Sequence, residues 1–141
     1  MSPTISVDDP SYAGDGLYRE HILDHFKNPR QHGVLEQASF THRELNTSCG
    51  DEVTLSVQEK TQVVDVCKFT GHGCAISQAA TSMLMEILPG KSFKDVMSMQ
   101  RDDMQELVGI PVGPARTKCL MLGLVAIKNG IALYQAQREY G

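Results

Sequence analysis

Three cysteines and one aspartate stand where the chain turns or changes its periodicity. Cys74 follows a β-branched, alternating segment and precedes an apolar-periodic one, so the pattern places it at the N-terminus of a helix. The unpaired backbone N–H groups and the positive dipole end at such a position stabilise a thiolate, which is the nucleophilic and metal-binding form. Cys49 and Asp51 share a polar loop, and Cys119 follows a proline-containing segment. These four side chains are therefore candidates for one site.

Three thiolates and one carboxylate supply the four ligands that a tetrahedral metal site requires. Zinc suits this set, with bonds of ~2.3 Å to sulfur and ~2.0 to 2.2 Å to oxygen, although thiolates also bind iron–sulfur clusters. Asp51 is the unusual member, because structural zinc sites are more often closed with Cys or His. Its harder oxygen ligand favours a site that exchanges ligands during function. The cysteine spacing alone is weak support, since it contains no CxxC pair.

The other cysteine and the histidines have simpler interpretations. Cys67 lies on the apolar face of a predicted strand, where a cysteine usually packs as a small hydrophobic residue. His72 is close enough in sequence to reach a metal at Cys74, but a loop histidine is more often solvated. His21 and His25 share a helical face, and we expect them to cap a helix or contact a partner.

The strands that must position these residues come early in the chain. Residues 1–14 are polar and contain prolines, which predicts a loosely ordered arm, and a helix from Leu17 stops at Pro29. Apolar and polar residues alternate from 53 to 58, which indicates one buried face and one solvated face. The predicted strands are residues 40–45, 53–58 and 63–70. Short turns between them predict an antiparallel meander.

Helices follow the strands. Pro89 ends the first of them, Ser92 opens the second with a capping-box pattern, and Pro114 suits the first turn of a long final helix. Gly130 costs that helix ~1 kcal/mol relative to Ala, but the apolar stripe continues through it. The predicted helices are residues 75–88, 93–99, 102–108 and 114–137. Strands first and helices after them predict an α+β fold.

The composition restricts the class of protein. With 141 residues and no internal repeat, the chain predicts one domain at residues 17–141 behind a flexible arm at residues 1–16. A net charge of −4 without a basic cluster argues against nucleic-acid binding. No segment approaches the ~20 apolar residues that span a bilayer, so we expect a cytoplasmic protein that does not bind membranes. In a reducing compartment, four cysteines favour metal or thiol chemistry over disulfides.

Four separate segments resemble one known family. In chain order they are residues 17–30 (LYREHILDHFKNPR), 49–53 (CGDEV), 73–77 (GCAIS) and 114–119 (PARTKC). They are similar to the motifs of the U-type iron–sulfur cluster assembly proteins, which comprise the IscU scaffolds, SufU and the N-terminal part of NifU. The resemblance covers nearly all of the chain from Leu17 to Tyr134.

The resemblance implies a three-stranded antiparallel sheet packed against an N-terminal helix and a C-terminal group of helices. It also implies a metal site formed by Cys49, Asp51, Cys74 and Cys119. Zinc would be the resident metal, with a transient 2Fe-2S cluster on the same ligands as the alternative. A cysteine desulfurase of the SufS or IscS type would donate sulfur, and apo iron–sulfur proteins or carrier proteins would receive it.

Two departures from the scaffold pattern favour the SufU branch of this family. Scaffold members usually carry His before the third cysteine and a Leu-Pro-Pro-Val-Lys motif just upstream, whereas this chain has Lys118 and residues 110–114 (IPVGP) at those places. Typical SufU proteins have an extra segment between the second and third cysteines, and the interval from Cys74 to Cys119 is too short to contain it. The motifs as a whole are closest to SufU.

Three hypotheses describe the function. In the first, zinc keeps thiolates ready, and sulfur passes from a desulfurase persulfide to Cys49, by resemblance to SufU, or to Cys119, by resemblance to the scaffolds. On this hypothesis the protein is at most a zinc-dependent sulfurtransferase acting with a cysteine desulfurase. In the second, the same ligands hold a 2Fe-2S cluster for transfer, and Asp51 makes that cluster labile. In the third, the metal is structural and the domain is an interaction module.

Overall fold

Strands lie against the helices that follow them in the chain. The computed structural model describes residues 13–48 and 50–140, with side chains for residues 20–48 and 50–139. Its single described sheet is three-stranded and antiparallel, and the N-terminal helix packs on the helix after the sheet, which confirms the predicted α+β fold. The elements are α1 (Ala13–Lys27), β1 (Phe40–Asn46), β2 (Asp51–Lys60), β3 (Val63–His72), α2 (Ala75–Ile87), α3 (Phe93–Ser98), α4 (Arg101–Val108) and α5 (Thr117–Tyr140).

Two predicted helix starts differ from the observed ones by more than one residue. Helix α1 begins at Ala13 and not at Leu17, so the last residues of the expected arm are helical. Residues 1–12 lie outside the described residues, and the division into arm and domain stays a prediction. The final helix begins at Thr117, because the proline segment before it forms a short 3-10 turn, Pro114–Arg116.

The sheet is a meander with the order β1-β2-β3. Thr61 and Gln62 form the turn between β2 and β3 with φ angles of +54° and +61°, and positive φ at both central residues suits a tight two-residue hairpin. Strand β3 continues through His72, which pairs with Glu52, so the prediction that it ends before Gly71 is wrong. This extra length places the end of β3 beside the start of β2.

One face of β2 packs under the helices, as the alternation predicts. Val53, Leu55 and Val57 are fully buried there. The opposite face is not solvated throughout, because Ser56 is only 1% exposed and its Oγ accepts a hydrogen bond of 3.0 Å from the backbone N–H of Leu35. The expectation of a fully solvated face is therefore wrong, since the connector between α1 and β1 covers part of it.

Helix α2 lies at the centre of the helical layer, between α1 and α5. It is therefore buried on nearly all sides and not on one face only: the polar residues Ser77, Gln78, Thr81 and Ser82 are buried too. Helix α5 crosses it closely at Gly123, where a Cβ atom would lie 2.6 Å from Oγ1 of Thr81. Such a close crossing fixes the first turns of α2 and α5 relative to each other.

Helix α5 is the longest helix of the described chain. The stretch Pro114–Glu139 is long and apolar enough to cross a membrane by length and composition, so the expectation that no segment approaches such a span is wrong. Its apolar stripe nevertheless faces protein: Leu120, Leu124, Ile127 and Ile131 are buried in the core. The helix contacts β1, β2 and α2, and core packing accounts for this hydropathy.

Candidate metal centre

Asp51 is the first residue of β2 and is delivered to the site by the β1–β2 hairpin. It lies opposite Asn46 in the antiparallel register, and the hairpin loop is closed by a hydrogen bond of 2.9 Å from the Gly50 N–H to the Asn46 carbonyl. The side chain of Asp51 is only 1% exposed. Cys49, the predicted ligand in the same loop, lies outside the described residues.

Cys74 is the N-cap residue of α2, as the sequence pattern predicts. Its backbone is extended, and its Sγ accepts a hydrogen bond of 3.5 Å from the backbone N–H of Ser77. Its carbonyl accepts a second bond of 3.1 Å from the Ser77 hydroxyl. The backbone N–H of Ser77 therefore points at the Cys74 sulfur, as expected for a side chain that caps a helix.

The Asp51 carboxylate and Cys74 are in direct contact. The Cys74 N–H donates to Oδ1 over 2.9 Å, and Cys74 Sγ lies 3.8 Å from Oδ2. Gly73 makes this approach possible, because a Cβ atom there would overlap the carboxylate. Its φ of +146° is also a backbone conformation that favours glycine. The glycine that follows β3 therefore leaves room for the Asp51 carboxylate.

Cys119 completes the cluster from the first turn of α5. It is 3% exposed and follows the 3-10 turn, in which the Arg116 N–H donates to the Gly113 carbonyl over 3.0 Å. One ligand atom each from Asp51, Cys74 and Cys119 lie within 4.8 Å of one another. The structure thus brings together three of the four predicted ligands, although they are distant in sequence.

This donor set fits a metal ion that prefers thiolate and carboxylate ligands. Bond lengths to zinc imply that neighbouring ligand atoms in a tetrahedron lie roughly 3.3 to 3.8 Å apart. The Cys74–Asp51 distance of 3.8 Å falls at that limit, and a spread of up to 4.8 Å among the three atoms needs only a small closure. The burial of Asp51 and Cys119 restricts access of water to two of the ligands.

Glu52, next to Asp51, pairs with two side chains on the protein surface. Exposed His72 lies with Nε2 2.8 Å from Oε1 of Glu52, and the guanidinium of Arg43 binds the other carboxylate oxygen. Hydrogen bonding from Arg43 lowers the pKa of Glu52, and His72 adds to that effect. His72 is thus engaged with a carboxylate next to the site. Lys118, adjacent to Cys119, is exposed.

Two residues given simpler interpretations are core residues. Cys67 is buried, its thiol donates to the Met85 carbonyl over 3.6 Å, and burial raises its pKa to about 12, which confirms core packing. His25 is only 3% exposed, with Nδ1 2.8 Å from the Ser82 hydroxyl. The expectation of capping or partner contact is therefore wrong for His25, because the histidine joins α1 to the central helix.

Asn46 is a residue near the site that the sequence did not single out. It is 8% exposed, and among side chains of the described residues its Nδ2 is the one buried polar nitrogen or oxygen without a hydrogen-bond partner. Its position in a polar Asn-Thr-Ser stretch looked like ordinary loop composition. Asn46 is identified as a neighbour of the site only by the β1–β2 pairing, which places it opposite Asp51.

Comparison with known proteins supports a family assignment. The family described as the NifU-like N terminal domain matches residues 17–140. The zinc-dependent sulfurtransferase SufU of Bacillus subtilis is 34% identical, with 84% of this chain and 91% of that protein covered. The iron–sulfur cluster assembly scaffold protein IscU of Aquifex aeolicus is 38% identical, covering 79% of this chain and 74% of the relative.

A solved structure has the same architecture. The crystal structure assigned as an iron–sulfur cluster assembly scaffold protein for the SUF system of Fervidobacterium islandicum superposes with a TM-score of 0.71 at 30% identity. The match covers 79% of this chain and 94% of that one. The fold and the cluster of metal-binding side chains are both consistent with the family that the sequence matches.

Proposed function

The chain belongs to the NifU-like N-terminal domain family, and from that premise we propose that it accepts sulfur from a cysteine desulfurase for iron–sulfur cluster assembly. The proposed site is a zinc centre with the ligands Cys49, Asp51, Cys74 and Cys119. Two of its relatives are named as a zinc-dependent sulfurtransferase and an iron–sulfur cluster assembly scaffold, and these names support the proposal.

The observation that carries this proposal is the contact between Asp51 and Cys74 inside the donor cluster. A carboxylate held 2.9 Å from the Cys74 N–H and beside its sulfur belongs to the ligand set and not to the surface. Among thiolates, the carboxylate is the ligand that suits zinc least and exchanges most readily. The geometry therefore favours a centre that opens at Asp51 over one that only holds the fold.

Sulfur transfer requires a thiolate that a partner's persulfide can reach. When bound, zinc supplies charge that keeps the cysteines deprotonated at neutral pH. The accepting thiolate attacks the outer sulfur of the desulfurase persulfide, a new S–S bond forms on this chain, and the enzyme's cysteine leaves as thiolate. Cys119 lies in the first turn of α5 and is buried, which favours Cys49 as the acceptor and Cys119 as a ligand.

A scaffold function is the second candidate. The same donors could hold a 2Fe-2S cluster as cargo, with Asp51 as its weakest ligand, and the IscU relatives favour this alternative. A structural zinc module is the third, and it predicts metal without sulfur chemistry. These three functions differ in what they bind and transfer, so one preparation distinguishes them.

The test combines metal analysis with sulfur transfer. Anaerobically purified protein should contain about one zinc per chain and no visible charge-transfer bands. After incubation with a SufS-type or IscS-type desulfurase and L-cysteine, intact-mass analysis should show one added sulfur atom, which Cys49→Ser removes and Cys67→Ser leaves in place. A stoichiometric iron–sulfur chromophore would instead establish the scaffold, and zinc without persulfide would establish the structural module.

We also propose the setting in which this site works. Thiolate ligands persist in a reducing compartment, which supports a cytoplasmic location. The recipients of sulfur or cluster would be apo iron–sulfur proteins or carrier proteins. A net charge of −4 argues against nucleic acid as a partner.

A further inference from the structure

Asn46 has an unused hydrogen-bond donor beside the metal centre. The residue is 8% exposed, and its amide Nδ2 has no hydrogen-bond partner among the residues that the structure describes. A buried N–H group without a partner is destabilising, and native structures contain few of them. The amide therefore indicates an acceptor that is absent in the state described.

Asp51 is the nearest candidate for that acceptor by topology. Asn46 and Asp51 are directly opposed in the antiparallel β1–β2 pair, and opposed side chains lie on the same face of a sheet with Cβ atoms ~4.5 to 5.5 Å apart. Both side chains are buried on the face that packs against the helices. In the state described, however, the carboxylate bonds to Cys74.

There is space for the Asn46 amide to rotate. Asn46 lines a cleft of about 240 Å³ between β1 and the first turns of α5. Met121, Leu122 and Val125 line its helical side, and Glu44, Thr117 and Lys118 also line it. Asp51 is buried, and a buried charge is strongly unfavourable unless a donor receives it. Asn46 is the donor that lies directly opposite Asp51 in the strand pair.

We propose that Asn46 binds the Asp51 carboxylate when that carboxylate leaves the metal. In the resting state Asp51 bonds to Cys74 and the Asn46 amide is unpaired. In the exchanged state an incoming ligand occupies the metal position of Asp51, and Nδ2 of Asn46 donates to the released carboxylate. Asn46 is a positioning residue that makes ligand exchange accessible, and this role rests on the proposed function of the site.

Cobalt(II)-substituted protein tests this role without sulfur transfer. Imidazole serves as the incoming ligand, and the cobalt d–d bands report the ligand set before and after its addition. The wild type should bind imidazole with a spectral change, whereas Asn46→Leu should keep the resting spectrum and bind imidazole about tenfold or more weakly, as expected for loss of a hydrogen bond to a charged group. Asn46→Ala is the second variant if leucine disturbs the fold, and Val125→Ala, in the same cleft, is the matched control.

A double-variant cycle separates this role from a structural one. In the Asp51→Ala background no carboxylate remains to be received, so adding Asn46→Leu should leave imidazole binding unchanged. An undiminished effect there, or wild-type imidazole binding by both Asn46 variants, overturns the role of Asn46 alone. If Asp51→Ala leaves the resting cobalt spectrum unchanged, or if the wild type shows no response to imidazole, Asp51 is not an exchangeable ligand and the proposed site fails with it.

Discussion

The backbone N–H of Cys74 donates a hydrogen bond of 2.9 Å to the Asp51 carboxylate, although the two residues belong to different elements. Cys74 caps the central helix and Asp51 begins the central strand. The bond therefore couples the position of a candidate metal ligand to the start of α2. It also holds the carboxylate beside the Cys74 sulfur, where a metal would bind both.

Substitution of Asp51 should weaken metal binding less than substitution of Cys74. Asp51→Ala leaves three thiolates, so the fold should persist and metal affinity should fall roughly tenfold, whereas Cys74→Ala removes the helix-capping thiolate and should cost at least about tenfold more. Chelator competition and circular dichroism on both variants at one pH measure this difference.

Asp51→Asn is the matched control, because it keeps an oxygen for the Cys74 N–H but removes the charge. It should retain the fold and bind metal about as weakly as Asp51→Ala. If the protein is loaded with a 2Fe-2S cluster, the cluster should persist longer in both variants, since its labile corner is missing. Unfolding of Asp51→Ala together with complete loss of metal would show that the carboxylate is a structural ligand.

Gly73→Ala should lower metal affinity although residue 73 is not a ligand. A Cβ atom there would overlap the Asp51 carboxylate, and φ of +146° is unfavourable for alanine. Displacing an orienting contact of this kind typically costs about 10- to 100-fold in metal affinity. Gly113→Ala is the control, because no atom lies within 4 Å of its added Cβ. Equal chelator resistance of the two variants would contradict this account of Gly73.

The stability of the protein should depend on pH through His25. Burial lowers the pKa of His25 below its ordinary value of 6.5, and the nearby charges of Arg30 and His21 add to that shift. The unfolded chain therefore binds the proton more readily, so the free energy of unfolding should fall as pH drops through about 6.5 and toward the lower pKa of the folded state.

Urea unfolding of wild type and His25→Gln between pH 5 and 8 measures this contribution, with the pH range centred on about 6.5. The difference between the two should shrink as pH falls. Two of the surrounding acidic groups, Glu86 and Asp24, oppose the shift and limit its size. Parallel pH curves for wild type and His25→Gln would contradict the prediction.

Cys67 and Cys74 should differ sharply in thiol reactivity. Burial raises the pKa of Cys67 to about 12, so at pH 8 it should react with iodoacetamide about a thousandfold more slowly than an ordinary thiol. Cys74 is only half-buried and caps a helix, and it should be labelled early in metal-free protein. Peptide mass spectrometry over time measures both rates, and Cys67 should react in urea. Comparable labelling of the two in native protein would contradict this.

Local patterns in the sequence determined the elements and the type of chemistry. Alternation along β2, the Ser92 cap and the position of Cys74 before an apolar-periodic segment were all readable, because strand pairing faces and helix caps depend on residues a few positions apart. The three cysteines and the aspartate at turns made a shared metal site a candidate, and the resemblance of four motifs to the U-type family decided for it. Errors in the bounds of the predicted elements lay at their ends, whereas the solvated face of β2 and the role of His25 were errors about burial.

Tertiary structure decided which distant residues come into contact, which side chains are buried and which polar atoms have hydrogen-bond partners. The close crossing of α5 over α2 and the continuation of β3 beside β2 bring Cys119, Cys74 and Asp51 within one cluster. The burial of His25 and the unpaired amide of Asn46 have no local signature. Burial and hydrogen-bond satisfaction depend on the surfaces that other elements contribute, and a linear pattern does not contain those surfaces.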